Sequence, residues 1–259
     1  MQRVALFAHF DAQDEVKPYI ETLLRGLREV CSRIVFVSTS RLSEREQAKL
    51  QPFVERIHLR ENVGYDFAMW KDALDLFELG ECDELVLSNS SVFGPIFPLA
   101  PIMERMSSDP CDFWGMTDNL ELAWHLQSYF VVFKRRVIDT GAFRSFWKNV
   151  QPHEDKNQVI LDYELGLTKH LTDRGFRPGT FAAIDSWSNL YTRWRMTRGH
   201  RYNPTLYYPM ALLRMGMPFV KVNLLRDNVG KIRMKPVLRA MREAGYDERL
   251  AQFVTGPGG

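Results

Sequence analysis

The chain has 259 residues, carries 34 Lys and Arg against 32 Asp and Glu for a net charge of +2, and is 45% hydrophobic and 12% aromatic. This is the composition of one large or two small folded domains, and it excludes a disordered or fibrous chain. No apolar run approaches the roughly 18 to 20 residues that span a bilayer, and the run before His9 is too brief for a secretory signal, so a cytoplasmic protein is expected.

Val4 to Ala8 is a short continuous apolar run, the pattern of a strand buried on both faces. Pro18 then opens a helical pattern with Ile20, Leu23, Leu24 and Leu27 on one side. A second buried strand is expected at Ile34 to Val37. A helix follows over Ser43 to Phe53, with Ser43 and Glu46 spaced as a capping box. Val54 to Leu59 reads as a third strand, Phe67 to Leu79 as a helix and Glu84 to Leu87 as a fourth strand. Strands and helices alternating at this pitch imply βαβ units and a parallel sheet. Further on, strands are expected at Phe113 to Gly115 and Gln127 to Phe133, and helices at Phe143 to Val150 and Val159 to Arg174. Pro178 to Asn203 shows no period and reads as a loop-rich excursion. Leu206 to Met215 and Lys235 to Glu243 have helical spacing, Phe219 to Val222 that of a strand.

Cys31, Cys82 and Cys111 are an odd number without CxxC spacing, which argues for reduced, packed thiols rather than disulfides or a zinc site. The charge is unevenly placed. Between Arg193 and Arg242 stand twelve Lys and Arg against one acid, Asp227, a segment net of +11 that leaves −9 for the rest of the chain. Such a segment suits phosphates, whether of a nucleotide, a lipid pyrophosphate, an anionic membrane or a nucleic acid; a solvated helical face is the plainer alternative.

In an open α/β sheet, ligands bind beyond the carboxyl ends of the strands. The residues there are His9-Phe10-Asp11, Ser38-Thr39-Ser40, Arg60 to Phe67, and Ser88 to Phe93. Arg60-Glu-Asn-Val-Gly-Tyr-Asp-Phe67 sets a glycine, an arginine and two carboxylates between strand and helix, either where backbone can approach an anion or as a plain turn with Asp66 capping the helix. Ser88-Asn-Ser-Ser-Val-Phe-Gly-Pro95 is a polar cluster between apolar residues, which taken alone is also compatible with a simple loop.

Together with Trp114-Gly-Met-Thr-Asp118, His125-Leu-Gln-Ser-Tyr-Phe130, Tyr163-Glu-Leu-Gly-Leu167, Asn203-Pro-Thr205 and Phe219 to Asn228, these segments resemble the successive blocks of the rhamnan synthesis protein F family, in order from about residue 3 to residue 250. The resemblance implies an α/β, GT-A-like (Rossmann-like) fold with a mostly parallel sheet flanked by helices and a basic C-terminal extension. It implies one glycosyltransferase domain over residues 1–250: a nucleotide-sugar-binding half at 1–100, an acceptor and catalytic half at 101–192, the basic extension at 193–250, and a frayed tail at 251–259. It further implies an inverting rhamnosyltransferase of cell-surface polysaccharide (rhamnan or O-antigen) synthesis that uses a nucleotide-sugar donor, with dTDP-L-rhamnose favoured.

A looser similarity to the end of family-2 GT-A enzymes runs through Phe130 to Arg136, Phe143 to Trp147 and Asp162 to Arg177. Counted back from Gly175-Phe176, it puts Glu164 on the general base of those enzymes; the alternative is a first-turn helix acid favoured by the macrodipole. On the rhamnan-family resemblance and the strand-end positions, His9, Asp11, Asn62, Gly64 and Asp66 are expected to line the nucleotide pocket, with Asn89 and Ser91 near the pyrophosphate. Asp118, His125, Gln127, Lys221 and Arg226 are the candidates for acceptor or diphosphate, although His125 and Gln127 lie between apolar residues, where a satisfied core group is equally expected.

Where GT-A enzymes commonly carry Asp-x-Asp for a divalent metal, this chain reads Asn89-Ser90-Ser91 without a carboxylate. Metal ligation by Mg²⁺ or Mn²⁺ is therefore open, with Asp118 or Asp11 as alternative ligands or the basic segment neutralising the leaving diphosphate instead, and weak metal dependence is expected. The expected partners are the nucleotide sugar, a glycan or lipid-linked glycan acceptor, and an anionic membrane on its inner face, touched peripherally. The missing carboxylate also leaves open a non-catalytic sugar- or lipid-carrier-binding module of a polysaccharide assembly complex. No nucleic acid is expected, because the basic residues match no recognition motif.

Overall fold

The computed structural model describes residues 1–76, 82–183 and 203–253. Its first four strands are β1 (Arg3–His9), β2 (Arg33–Ser38), β3 (Arg56–Leu59) and β4 (Glu84–Asn89), and between them lie the helices α1 (Pro18–Val30), α2 (Glu44–Leu50) and α3 (Tyr65–Asp75). β1 pairs in parallel with both β2 and β4, and β2 with β3. The apolar runs explain why. Along β1, Ala5 and Phe7 enter one hydrophobic cluster while Val4, Leu6 and Ala8 enter another on the opposite face. A strand covered on both sides needs apolar residues at every position. α1 covers the first face and α3 the second.

The capping box at the start of α2 is half formed. The Ser43 hydroxyl accepts from the Glu46 N–H at 3.3 Å, but the Glu46 carboxylate accepts instead from the Val16 N–H and from Lys49, both at 2.7 Å.

After β4 come the short strand β5 (Val92–Phe93), the helix α4 (Leu99–Ser108), β6 (Phe113–Gly115), a small hairpin of β7 (Asp118–Asn119) and β8 (His125–Leu126), and β9 (Phe130–Lys134). The main sheet has seven strands in the order β10-β6-β9-β4-β1-β2-β3, where β10 is Pro178–Thr180. β9 runs antiparallel between β4 and β6, so the sheet is mostly parallel, as expected. The order reverses between β1 and β4, and in open α/β sheets such a reversal opens a crevice at the carboxyl ends of the two strands.

Two short helices, α5 (Arg135–Ile138) and α6 (Gly141–Asn149), follow β9. The long helix expected from Val159 is three pieces: α7 (Lys156–Val159), a π-helical turn Ile160–Leu165, and α8 (Gly166–Thr172). The helix expected at Leu206 to Met215 breaks into Pro204–Tyr207 and Pro209–Arg214, because Pro209 lacks an N–H and disfavours the helical region at Tyr208. β11 (Val220–Lys221) pairs antiparallel with β5. Leu212, Met217, Phe219, Val237 and Met241 enter the same cluster as α1, so this C-terminal segment packs onto the sheet's first face.

Arg193, Arg195, Arg198 and Arg201 lie outside the described residues, as do 254–259; Ala251, placed in the expected tail, is buried on a short helical turn, Glu248–Phe253. The three cysteines are buried free thiols, and burial pushes the Cys31 thiol up to about 12. Among the described residues no helix is long and apolar enough to cross a membrane.

Candidate active site

The carboxyl ends of β1 and β4 flank the crevice. At the end of β1, His9 is buried, its Nδ1 lies 2.9 Å from Ser38 Oγ, and burial pushes its pKa down to about 4, so the ring is neutral at ordinary pH. Asp11 turns on itself. Its Oδ1 accepts from the N–H groups of Gln13 and Glu15 at 3.0 and 3.2 Å, and its own N–H donates to Ser40 Oγ at 2.8 Å. These two residues hold the loop that carries the chain from β1 towards α1.

The loop before α3 depends on Gly64, which caps the helix at φ 83°. A Cβ there would stand 2.6 Å from Ala68 Cβ and 2.8 Å from the Pro152 backbone, so this position needs glycine for space as well as for conformation. Asn62 is exposed on the outer side of the loop, whereas Asp66, in the first turn of α3, turns inward.

At the end of β4, Asn89 Nδ2 donates to Asp66 Oδ2 at 2.7 Å, and its Oδ1 accepts from the Ser91 N–H and hydroxyl at 3.1 and 2.6 Å. An amide beside a carboxylate on one side and an N–H on the other has one orientation that satisfies both. Trp70 Nε1 donates to the Ser88 carbonyl at 3.3 Å, and the Tyr19 hydroxyl to that of Ser90 at 3.0 Å, which fixes the turn from above and below.

The pairing of β11 with β5 sets Lys221 opposite Val92 and brings its ammonium to this turn. Nζ donates to Ser91 Oγ at 3.2 Å and lies 4.3 Å from the centroid of the Tyr129 ring. Tyr129 is buried. Its hydroxyl shares a 2.8 Å hydrogen bond with Thr117 Oγ1, which in turn donates to Gln127 Oε1 at 2.8 Å. Gln127 Nε2 reaches Asn203 Oδ1 at 3.3 Å, so Gln127 works behind Tyr129.

Glu164 stands on the π-helical turn, a local widening that shifts a side chain out of ordinary helical register. Its Oε1 accepts from the Ser128 N–H at 3.1 Å and lies 3.9 Å from His125 Nε2. The other ring nitrogen of His125 is 2.8 Å from the Ala123 carbonyl, which can only accept, so the proton sits on Nδ1.

These charges feel one another. Burial pushes the Asp66 carboxyl up to about 6, against the pull of the Asn89 hydrogen bond and of Lys221 and Lys156. Burial likewise pushes the Lys221 ammonium down to about 8, while Glu164 and Asp66 pull it back up.

Asp66, Asn89, Ser91, Lys221 and Glu164 thus come together, with His125 and Gln127 directly behind them. Asp118 is buried, with Oδ2 accepting from Trp124 Nε1 at 2.9 Å in the neighbouring hairpin. Arg226 is exposed and forms two 2.8 Å hydrogen bonds to the carboxylate of Asp227.

Among the described residues no three His, Cys, Asp or Glu side chains converge as a cation site. The turn at β4 offers one carboxylate, Asp66, and an amide oxygen already taken by Ser91, with an ammonium on the Ser91 hydroxyl. A hard divalent cation wants several charged oxygens, so this set does not fit one.

Tyr129 and Lys156 are the members that sequence reasoning missed. Tyr129 sits next to Phe130 in the block His125 to Phe130, and an aromatic at a strand start reads as core; Lys156 is a lone lysine at a helix start and carries no signal.

The fold and site define an α/β protein with charged residues gathered at the switch point of its sheet, the place where such sheets bind ligands. The chain matches the rhamnan synthesis protein F family over residues 34–252 and belongs to that family. It is similar to virulence protein VirA of Vibrio anguillarum, 29% identical over 192 residues that make up 65% of this chain and 62% of that one. It is also 28% identical over 166 residues to protein y4gN of Sinorhizobium fredii, covering 61% of this chain and 43% of that one. The chain thus spans less than two thirds of the length of these relatives. Among solved structures, 4-diphosphocytidyl-2C-methyl-D-erythritol synthase of Anaerococcus prevotii aligns with a TM-score of 0.45 at 8% identity, over 69% of this chain and 88% of that one.

Proposed function

We propose that this chain is a nucleotide-sugar-dependent glycosyltransferase of the GT-A type, acting by inversion in the synthesis of a cell-surface polysaccharide. The observation that carries the reading is the gathering of Asp66, Asn89, Ser91, Lys221 and Glu164 at the end of β4, beside the switch point of the sheet. Glu164 is the general base. One of its oxygens is anchored by the Ser128 N–H, and among the described residues the other bears no hydrogen bond. As the acceptor hydroxyl oxygen bonds to the anomeric carbon, its proton passes to Glu164. The bond from that carbon to the diphosphate breaks, and its electron pair leaves on the diphosphate oxygen. Asn89, Ser91 and Lys221 face that leaving group.

Membership of a rhamnan synthesis family supports rhamnose as the transferred sugar and dTDP-L-rhamnose as the donor. The acceptor is a glycan or lipid-linked glycan on the inner face of the cytoplasmic membrane, with residues 1–250 acting as one catalytic unit. The test is a melting-temperature screen of nucleotide sugars followed by transfer to a glycan acceptor. A donor at about a hundred times its dissociation constant adds roughly 2.7 kcal/mol of stability. Absence of any shift from thymidine or uridine diphosphate sugars would overturn the reading.

The lack of a carboxylate in Asn89-Ser90-Ser91 favours a second reading, a non-catalytic sugar-binding module. Donor binding without donor hydrolysis or transfer would select it.

A further inference from the structure

We propose that Lys221 is a built-in cation that binds the donor's diphosphate in place of a divalent metal ion. This deepens the glycosyltransferase reading and rests on it.

Three observations carry the proposal. First, the ammonium is in no ion pair: among the described residues Nζ has the Ser91 hydroxyl and the Tyr129 ring as its partners, and no carboxylate lies within ion-pair distance. A half-buried ammonium in this state is costly, and a fold that retains it leaves N–H donors available for an anion. Arg226 makes the contrast, since its guanidinium is spent on Asp227.

Second, the lysine is held in place. Tyr129, whose ring lies beneath the ammonium, is fixed through its hydroxyl by Thr117 and Gln127. The backbone of Lys221 is fixed by the β5 pairing, and the Val222 N–H donates to the Ser91 carbonyl at 2.9 Å. A positioned charge of this kind needs no reorganisation when negative charge develops on a leaving group.

Third, it stands on the turn at the end of β4, next to Asp66 and Asn89, where the oxygen ligands for a divalent ion are too few. The groups facing Lys221 are Asp66 on α3, Glu164 on the π-helical turn and Lys156 on α7, together with the Tyr129 ring on the segment entering β9. Burial pushes the pKa of Lys221 down to about 8 and the two carboxylates pull it back up, so the ammonium is charged near neutrality.

In the transfer step the ammonium stays protonated. It donates hydrogen bonds to the diphosphate as the anomeric bond breaks, and the proton of the acceptor hydroxyl goes to Glu164.

The experiment is titration of thymidine diphosphate and uridine diphosphate into the whole protein in EDTA, and again in Mn²⁺, with wild type, Lys221→Met and Lys221→Arg. Lys221→Met removes a half-buried charge without shortening the chain, so its melting temperature should equal or exceed that of wild type, which separates binding loss from misfolding. The expected result is diphosphate binding by wild type in EDTA, unchanged by Mn²⁺, weakened about 10- to 100-fold by Lys221→Met, and largely kept by Lys221→Arg. Binding that requires Mn²⁺ and survives Lys221→Met overturns the built-in cation and leaves the glycosyltransferase reading standing. No binding by wild type in either condition overturns both.

Discussion

The ends of β1 and β4 are neighbours in the sheet, and both were candidates for the nucleotide pocket, yet the chain uses them in opposite ways. At β1 the polar groups close on themselves: His9 on Ser38, Asp11 on the N–H groups that follow it. At β4 the groups come from other elements, and charges stand close without pairing, with Lys221 in no ion pair among the described residues although Asp66 and Glu164 are near enough to raise its pKa. A position beyond a strand's carboxyl end therefore does not by itself leave polar atoms available to a ligand. What distinguishes the two ends is whether the polar atoms are already satisfied.

The largest expected effect on stability belongs to the β1 end. The pKa of His9 is about 4 in the folded protein, below its ordinary value of 6.5. The unfolded chain therefore binds the extra proton first, and the stability that His9 contributes is complete above pH 6.5 and lost as pH falls towards 4. The loss is on the order of 3 kcal/mol. His9→Phe should flatten the melting-temperature profile over that range and leave diphosphate affinity at pH 7 unchanged. Loss of nucleotide binding in this variant would break the contrast by putting His9 in the pocket.

Gly64→Ala comes next, at about 1 to 3 kcal/mol from the strained backbone and the clash with Pro152. Because Gly64 sets the start of α3, this variant should also disturb Asp66 and slow transfer, which denaturation and rate measurements would read together.

The pH dependence of the β4 end should run the other way from that of His9. Lys221 is charged below about 8. Diphosphate affinity should therefore hold up to that pH and fall about tenfold per unit above it, a decline absent in Lys221→Met. Arg226→Ala should have the smallest effect, about 0.5 kcal/mol or less on stability for an exposed pair, with diphosphate affinity within twofold of wild type by titration.

Much of the fold was legible in the sequence because the strands are buried on both faces. Val4 to Ala8, Ile34 to Val37 and Glu84 to Leu87 announce themselves as unbroken apolar runs. The antiparallel insertion of β9 was not legible, since periodicity records which faces are buried and not which neighbour a strand pairs with. The π-helical turn under Glu164 leaves the apolar spacing of Val159, Tyr163 and Leu167 intact and so hides in an ordinary helical pattern.

Of the residues gathered at the end of β4, Asp66, Asn89 and Ser91 lie in the segments after strands that the sequence marks out. Lys221 was one basic residue among twelve in its segment, and only the pairing of β11 with β5 sets it apart from Arg226, five residues on. Tyr129 shows the same limit, because its role depends on the ammonium that another part of the chain lays over its ring.

The measurement that tests the central claim most directly is the transfer rate of Glu164→Gln, taken with its donor affinity and melting temperature. Glutamine keeps the size and the hydrogen bond from the Ser128 N–H but cannot take up the acceptor's proton. The account predicts a fall in rate of about 10²- to 10⁴-fold, with donor affinity and melting temperature near those of wild type. Near-normal transfer, accompanied by a stability loss of about 0.3 to 1 kcal/mol, is what a mere helix acid would give, and it would contradict the assignment of Glu164 as the base.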